Sequence, residues 1–492
     1  MASIDEIRSA RLLKLDILRK AGIDPYPAKT ERNFSVAEAE AQFEKVSLEK
    51  TSVTLSGRVM SLRAQGALIF FHIFDGTGKF QGLLKKTEGD AKSEGMFELF
   101  AQTVDIGDFV QISGVPFLTK RGEKTIEIAG WKMLTKSLLP LPEKWHGLQD
   151  VEERFRKRYL DILTDADIRE LFNKKSKFWD VTRTFLKEKG FMEVETPTLE
   201  TTTGGAEATP FKTYHEDFNL DVFMRISIGE LWQKRLMAAG IPKTFEIGRA
   251  YRNEGTDMNH VQEFTNMEFY LAYANYEDGM KLAEELYKKI ALDVFGTTKF
   301  TSRGYEFDLG GEWKRIDYLE TVKKETGIDI LTATDSEIRN KLDELKVKYD
   351  GTTRERMTDT LWKYCRKKIS GPVFLINHPK IISPLAKSKV ENSELTERFQ
   401  IIIAGAELGN GFSELNDPID QRKRFETQQE LLKSGDKEAM MADWEFVEML
   451  EHGMPPTCGF GFGEMLFAIL VDKPIREVQM FPLMRPRGEE KK

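Results

Sequence analysis

The residues best suited to chemistry are acids and an arginine set within apolar strands. FEIGRAYRNEG supplies Arg252 and Glu254, EFTNMEFYLAY supplies Phe264, Glu268 and Tyr270, and IIIAGAELGNGFSELND supplies Glu407, Asn410, Phe412 and Glu414. Glu230 stands in MRISIGELWQKRL, and TPTLETTTGGAEATPF ahead of it carries Gly204 and Gly205, which permit close backbone approach to a ligand. Buried carboxylates are costly unless paired with cations or metal, and solvated loops could hold a few of these acids but not all. Such a pocket suits a cationic group beside an anionic one. Carboxylates would take ammonium groups, and Arg252 would take a carboxylate or phosphate in fork geometry. Mg2+ on Glu407 and Glu414 would neutralise a polyphosphate, provided the GNG between them lets the carboxylates meet. Phe264 could stack on a nucleobase.

The elements that must position these groups follow from periodicity. Alternation predicts one strand from Phe245 and a second from Glu263, joined by the loop GTDMNH; Arg252 and Glu254 fall on the first strand and Glu268 and Tyr270 on the second. From Thr51 to Lys136 the chain reads as about five short strands with glycine turns, the pattern of a small closed barrel such as an OB-fold. In LIFFHI, Phe70 and Phe71 point to opposite faces, so one is core and the other exposed. An exposed phenylalanine near Arg63, Gln81 and Glu123 would offer unpaired bases a stacking and hydrogen-bonding surface, although core packing explains a single phenylalanine equally well. The basic residues of the first helix, Arg8, Arg11, Lys14, Arg19 and Lys20, read either as a solvated face or as a phosphate contact.

The expected organisation is a helix and barrel over 1–138, a proline-rich linker over 139–152, and a large α+β domain over 153–492. Charged helical insertions are expected at 330–370 and 420–452, at its periphery. The 492 residues carry 73 Lys and Arg against 80 Asp and Glu, a net charge of -7 that gives no global pull toward nucleic acid. Cys365 and Cys458 are the only cysteines, which excludes a disulfide framework and a cysteine zinc site. With neither a signal-peptide core nor a membrane-length apolar run, the expected location is cytoplasmic.

In order along nearly the whole chain, the motifs resemble those of class II aminoacyl-tRNA synthetases, and within them the lysine enzymes. GFMEVETPTL is similar to the family's motif 1, FEIGRAYRNEG…EFTNMEFY to motif 2 and TCGFGFGEML to motif 3. LPLPEKWHGLQDVEERFRKRYLDIL, HPKIISPLAK and ELGNGFSELNDPIDQ are closer to the lysine enzymes than to their aspartate and asparagine relatives. The resemblance implies an antiparallel catalytic sheet flanked by helices, a homodimer, and ATP-dependent ligation of L-lysine to tRNA(Lys) through a lysyl-adenylate, with Mg2+. Arg252 would bind the lysine carboxylate and then the α-phosphate, while Glu230 with the carbonyls at Gly204 and Gly205 would take the α-ammonium. Glu268, Tyr270 and Glu414 would surround the ε-ammonium, with Phe412 along the stem and Asn410 on the carboxylate. Phe264, Glu254, His260, Glu407, Gly461 and Gly463 would serve ATP, and Phe70, Gln81, Arg63 and Glu123 match positions that read the anticodon. Three departures cluster on the ATP side: Asn259 where a basic residue usually precedes the histidine, Gln400 where a carboxylate often helps hold metal, and Met465 in place of the motif 3 arginine. The rival expectation is an impaired paralogue that binds lysine and RNA without efficient aminoacylation.

Overall fold

The computed structural model describes residues 3–142, 148–206, 208–349, 351, 353–435 and 439–488. Residues 143–147 of the expected linker lie outside them. The chain divides into two compact units, 1–149 and 150–492.

In the first unit, strands β1 (Val53–Gln65), β2 (Leu68–Phe74), β3 (Lys79–Lys85), β4 (Phe109–Leu118) and β5 (Lys124–Thr135) close a barrel in the order β1-β2-β3-β5-β4. The helix Ala91–Thr103 separates β3 from β4. Burial alternates along β2, so Ile69, Phe71 and Ile73 enter the core while Phe70 and His72 face outward. The first helix, Ile4–Lys20, is fixed by a basic residue rather than freed by one. Arg11 is buried and donates to the Ser137, Leu139 and Ile106 carbonyls, and Lys14 meets Asp105 at 2.6 Å. Both of these side chains are therefore structural.

In the second unit, β6 (Met192–Glu193) lies at one edge of the main sheet. β7 (Leu199–Glu200), β8 (Lys212–His215) and β9 (Leu220–Met224) form a small separate sheet. β10 (Lys243–Tyr251) and β11 (Glu263–Ala272) are the expected hairpin, and β12 (Lys299–Ser302) and β13 (Tyr305–Asp308) form a second one. β14 (Lys314–Asp317), β15 (Val373–Pro379), β16 (Leu395–Ile403), β17 (Ala406–Ser413) and β18 (Thr457–Gly463) complete an eight-stranded sheet, ordered β14-β15-β16-β17-β18-β11-β10-β6. It is antiparallel except at its two edge pairs.

The two faces of this sheet differ because the strands alternate. Phe245, Met267, Phe269, Phe399, Ile401, Phe460 and Phe462 point to one side, where the helices Ala166–Glu188, Tyr276–Ile290 and Met465–Leu470 cover them. Glu246, Glu268, Gly461, Asn410 and Gln400 form a single row across the other side, and Thr244, Tyr270, Gly459, Phe412 and Arg398 form the next. The supposed peripheral insertions are not peripheral. Helices Asp335–Glu344 and Arg354–Cys365 bury Trp362 against Leu375 and Ile402, while Pro418–Lys433 and Trp444–His452 bury Phe425 and Phe446 beside Phe412. Among the described residues no helix is long and apolar enough to cross a membrane.

One buried ion pair locks the polar face to the loop above it. Arg225 meets Glu246 at 2.6 Å and donates to the Arg249 carbonyl, while Glu246 also accepts from the Thr196 amide and hydroxyl. The guanidinium reaches to Gly248, where a β-carbon would sit 2.3 Å from its Nη2. Glu246→Ala should lower stability by about 3–5 kcal/mol, because it leaves a buried arginine unpaired. Urea denaturation checks this, and a loss below about 1 kcal/mol would mean that water already solvates the pair.

Candidate active site

The hairpin β10–β11 delivers the first half of the site. In β11 the side chains of Asn266, Glu268 and Tyr270 leave the sheet on its polar face. Arg252 and Glu254 stand just beyond the last ladder residue of β10, not on the strand itself. The Arg252 amide donates to the Gln262 carbonyl and its Nε to the Ile226 carbonyl at 3.2 Å. The guanidinium carbon lies 5.2 Å from the Phe264 ring centroid, so cation and aromatic face adjoin. Burial lowers the proton affinity of Arg252, and Glu254 and Glu268 pull it back up.

Beside it lies a pocket of like charges. The helix Glu230–Ala238 carries Glu230 and Lys234 one turn apart. Lys234 Nζ is 2.8 Å from Glu230 Oε1 and 2.5 Å from Glu414 Oε2, and all three side chains are buried. Glu268 accepts from the Ile228 amide at 2.9 Å, from Asn266 at 3.2 Å and from the Tyr270 hydroxyl at 3.1 Å. Beyond that contact with Lys234, neither oxygen of Glu414 takes a hydrogen bond, although both are buried. Burial pushes Glu268 up to about 7 and Glu414 up to about 8, with the neighbouring carboxylates adding to the rise and Lys234 opposing it. Three carboxylates thus surround one buried ammonium, and two of them hold protons more tightly than an isolated carboxyl.

The floor is bare. Gly459, Gly461 and Gly463 of β18 turn toward the polar face, and a β-carbon at Gly461 would sit 2.7 Å from Glu268 Cγ. The Phe412 ring lies 5.3 Å from Lys234 Nζ, and Asn410 Oδ1 accepts from Arg398 Nε at 2.8 Å. Over the helix N-terminus, Gly205 has φ +87 and crosses so close to Ser227 and Glu230 that only glycine fits. The Gly204 carbonyl accepts from the Ser227 hydroxyl. A pocket lined by Glu200, Thr202, Gly204, Ser227 and Glu230 opens beside that loop.

The other expected residues divide. His260 is exposed in the loop and holds Asp257, as does the backbone of Asn259. Gln400 is satisfied by His378 at 3.1 Å, a histidine that burial and Arg398 keep neutral. Glu407 and Glu414 do not meet. They stand at opposite ends of β17, on the order of 20 Å apart by strand rise. Glu407 accepts from the Trp362 indole at 2.8 Å and faces Arg366 at 3.6 Å, whereas Glu414 belongs to Lys234. The GNG segment stays in the ladder because Gly409 and Gly411 lie under Phe460 and Phe399, so it makes no turn. The two carboxylates therefore do not fit one Mg2+ site. Lys234, which closes the carboxylate cluster, was missed by the sequence reading, although its helical spacing from Glu230 was a usable signal. In the barrel, Arg63 pairs in register with Phe70, and His72 bridges Ser61 at 2.9 Å and Glu123 at 3.0 Å. Gln81 lies next to His72 and accepts from Thr125.

A bare strand between acid-bearing strands, with an arginine at the hairpin mouth, is a site built to hold an ammonium beside an anion. Residues 150–485 match the family model for tRNA synthetases class II (D, K and N), and residues 53–134 match that for the OB-fold nucleic acid binding domain. The chain belongs to the class II aminoacyl-tRNA synthetases, and among these to the lysine--tRNA ligase family. It is 42% identical to "Lysine--tRNA ligase" of Thermotoga maritima, over 99% of this chain and 97% of the relative. It is 41% identical to the proteins of that name from Fervidobacterium nodosum, over 99% and 95%, and from Roseiflexus sp., over 98% and 99%.

The raised carboxyls make a pH prediction. Folded Glu268 and Glu414 retain protons that the unfolded chain has lost, so stability falls as pH rises from about 5 to 8. His378, held neutral in the fold, takes a proton only when the chain unfolds, so it opposes this fall near about pH 6.5 without sharing the response to a change at Glu414. Melting temperatures should decline between those pH values, and Glu414→Gln should flatten the decline. An equal slope in the variant would mean that Glu414 holds no extra proton in the fold.

Proposed function

We propose that this chain ligates L-lysine to tRNA(Lys) in two steps, with a lysyl-adenylate between them. The observation that carries the reading is the excess of buried carboxylate around Lys234, with Glu414 Oε1 open to a further donor. The ε-ammonium of lysine would enter between Glu268, Tyr270 and Glu414, its stem against Phe412. The α-ammonium would approach Glu230 at the Gly204–Gly205 loop, and the carboxylate would face Arg252 and Asn410.

In the first step a lysine carboxylate oxygen attacks the α-phosphorus of ATP, the bond to the bridging oxygen breaks, and pyrophosphate leaves. Arg252 would hold the attacking and attacked groups together and offset charge on the α-phosphate, while Phe264 stacks on adenine and Glu254 accepts from its amino group. Gly461 and Gly463 would leave room for the nucleotide. His260, exposed at the loop, would meet the outer phosphates. Glu407 would be the carboxylate left to hold Mg2+, which when bound would offset charge on the outer phosphates. In the second step a hydroxyl of the tRNA's terminal ribose attacks the lysyl carbonyl, loses its proton, and releases AMP. The barrel would read the anticodon through Phe70, Arg63, Gln81 and Glu123, and the active protein would be a cytoplasmic homodimer.

Gln400 and Met465 keep a second reading in play, a chain that binds lysine and RNA with impaired adenylation. Lysine-dependent pyrophosphate exchange separates the two. Exchange followed by charging of tRNA(Lys) supports the ligase, and lysine binding without exchange supports the impaired paralogue.

Glu268→Gln should weaken lysine binding by about 1.5–3 kcal/mol, the scale of a lost charged hydrogen bond. Calorimetry that finds unchanged affinity removes Glu268 from the pocket. Arg249 is no competing partner for it, since that side chain faces Glu263 and Glu464.

Phe70→Ala should weaken tRNA binding by about 1–3 kcal/mol, the loss expected for one stacked base, with pyrophosphate exchange as a separate readout. Filter binding checks the first and exchange the second. An equal fall in both would mean that Phe70 supports the fold, as buried Phe71 does.

A further inference from the structure

The end of the site near Met465 lacks the arginine of related sequences, yet it does not lack a cation. The tip of the β12–β13 hairpin places Arg303 there. Its backbone is in the left-handed region, φ 53, and its amide is anchored 2.9 Å from Asp472 Oδ1. From that anchor the side chain runs back along the helix Met465–Leu470 until its guanidinium is 3.6 Å from Met465 Sδ. A thioether is a weak acceptor and carries no charge. Among the described residues, no carboxylate comes within ion-pair distance of this half-buried guanidinium.

A second cation stands close by. Arg366 faces Glu407 at 3.6 Å, and its Nε is buried without a hydrogen-bond partner. The two arginines feel each other, because Arg366 lowers the proton affinity of Arg303 as burial does, while Asp472 and Asp257 raise it. Asp257 belongs to the loop that carries His260, so hairpin, loop and helix converge at one corner. Met465 lies two residues past Gly463, the glycine over which Phe264 leans. Two guanidiniums with so little compensation fit an anionic ligand of more than one charge.

We propose that Arg303, supported by Arg366, contacts the outer phosphates of ATP and supplies from the hairpin the charge that Met465 does not. This rests on the adenylate-forming reading above. Asparagine at position 303 removes the charge yet tolerates the left-handed backbone, so Arg303→Asn is the test substitution.

In lysine-dependent pyrophosphate exchange, Arg303→Asn should raise the KM for ATP about tenfold or more, the scale of a lost charged hydrogen bond. The KM for lysine should stay within about twofold, as for a distant site. Met465→Arg added to Arg303→Asn should recover most of the ATP KM. The same Met465→Arg in the wild-type background should give no gain, because it sets two guanidiniums side by side. An ATP KM unchanged in Arg303→Asn, or a lowered melting temperature with no rescue by Met465→Arg, would make Arg303 a brace for the hairpin and overturn the proposal. No exchange in the wild-type protein would instead overturn the adenylate reading itself.

Discussion

Three carboxylates share one buried ammonium on the polar face of the sheet, and the catalytic unit is arranged around that imbalance. Glu230, Glu268 and Glu414 are buried, so water screens them poorly and their mutual repulsion is felt at low effective dielectric. Lys234 offsets part of it from the same helix as Glu230, which makes the helix itself an electrostatic device. The helix can do this only if its N-terminal end is held against the sheet. The Ile228 amide bound to Glu268 supplies one tie, and Arg225 on Glu246 supplies another just ahead of it. What remains uncompensated is room for one more cation.

That room exists because one strand gives up its side chains. Glycines alternate with Cys458, Phe460 and Phe462 along β18, so the same strand is empty on the polar face and densely aromatic on the other. The apolar side makes the empty side affordable. Phe460 stacks on Phe399 at 5.6 Å between centroids, and Gly409 and Gly411 of β17 let those rings close against the backbone. Rigidity of the floor therefore comes from beneath it, and ligand binding need not organise it.

Much of this was legible in the sequence because the strand period is two. Alternation put Glu268 and Tyr270 on one face and separated Phe70 from Phe71, and the structure keeps both assignments. What stayed hidden were relations between elements. Glu407 and Glu414 look like a pair on paper, but a ladder that bulges only at Leu408 holds them apart. Arg11 sits on an amphipathic helix with exposed Arg8, Arg19 and Lys20, and the Ser137, Leu139 and Ile106 carbonyls draw it inward. Arg303 lies at a turn more than a hundred and fifty residues from Met465 and has no local pattern to mark it. Periodicity reports which face a side chain occupies, but it does not report which distant backbone lies opposite.

The segment at Glu464 and Met465 shows why a charge can leave one element and reappear on another. Glu464 is fully buried and is taken up by Lys175, the Thr265 amide and Arg249, so it ties the start of the last helix to β11 and to the helix Ala166–Glu188. Met465 then packs on the apolar core beneath the sheet. A guanidinium projecting from position 465 would start directly beside that anchor. An arginine arriving from the hairpin tip reaches the same corner without disturbing the anchor, because electrostatic stabilisation depends on where a charge sits and not on which strand brings it.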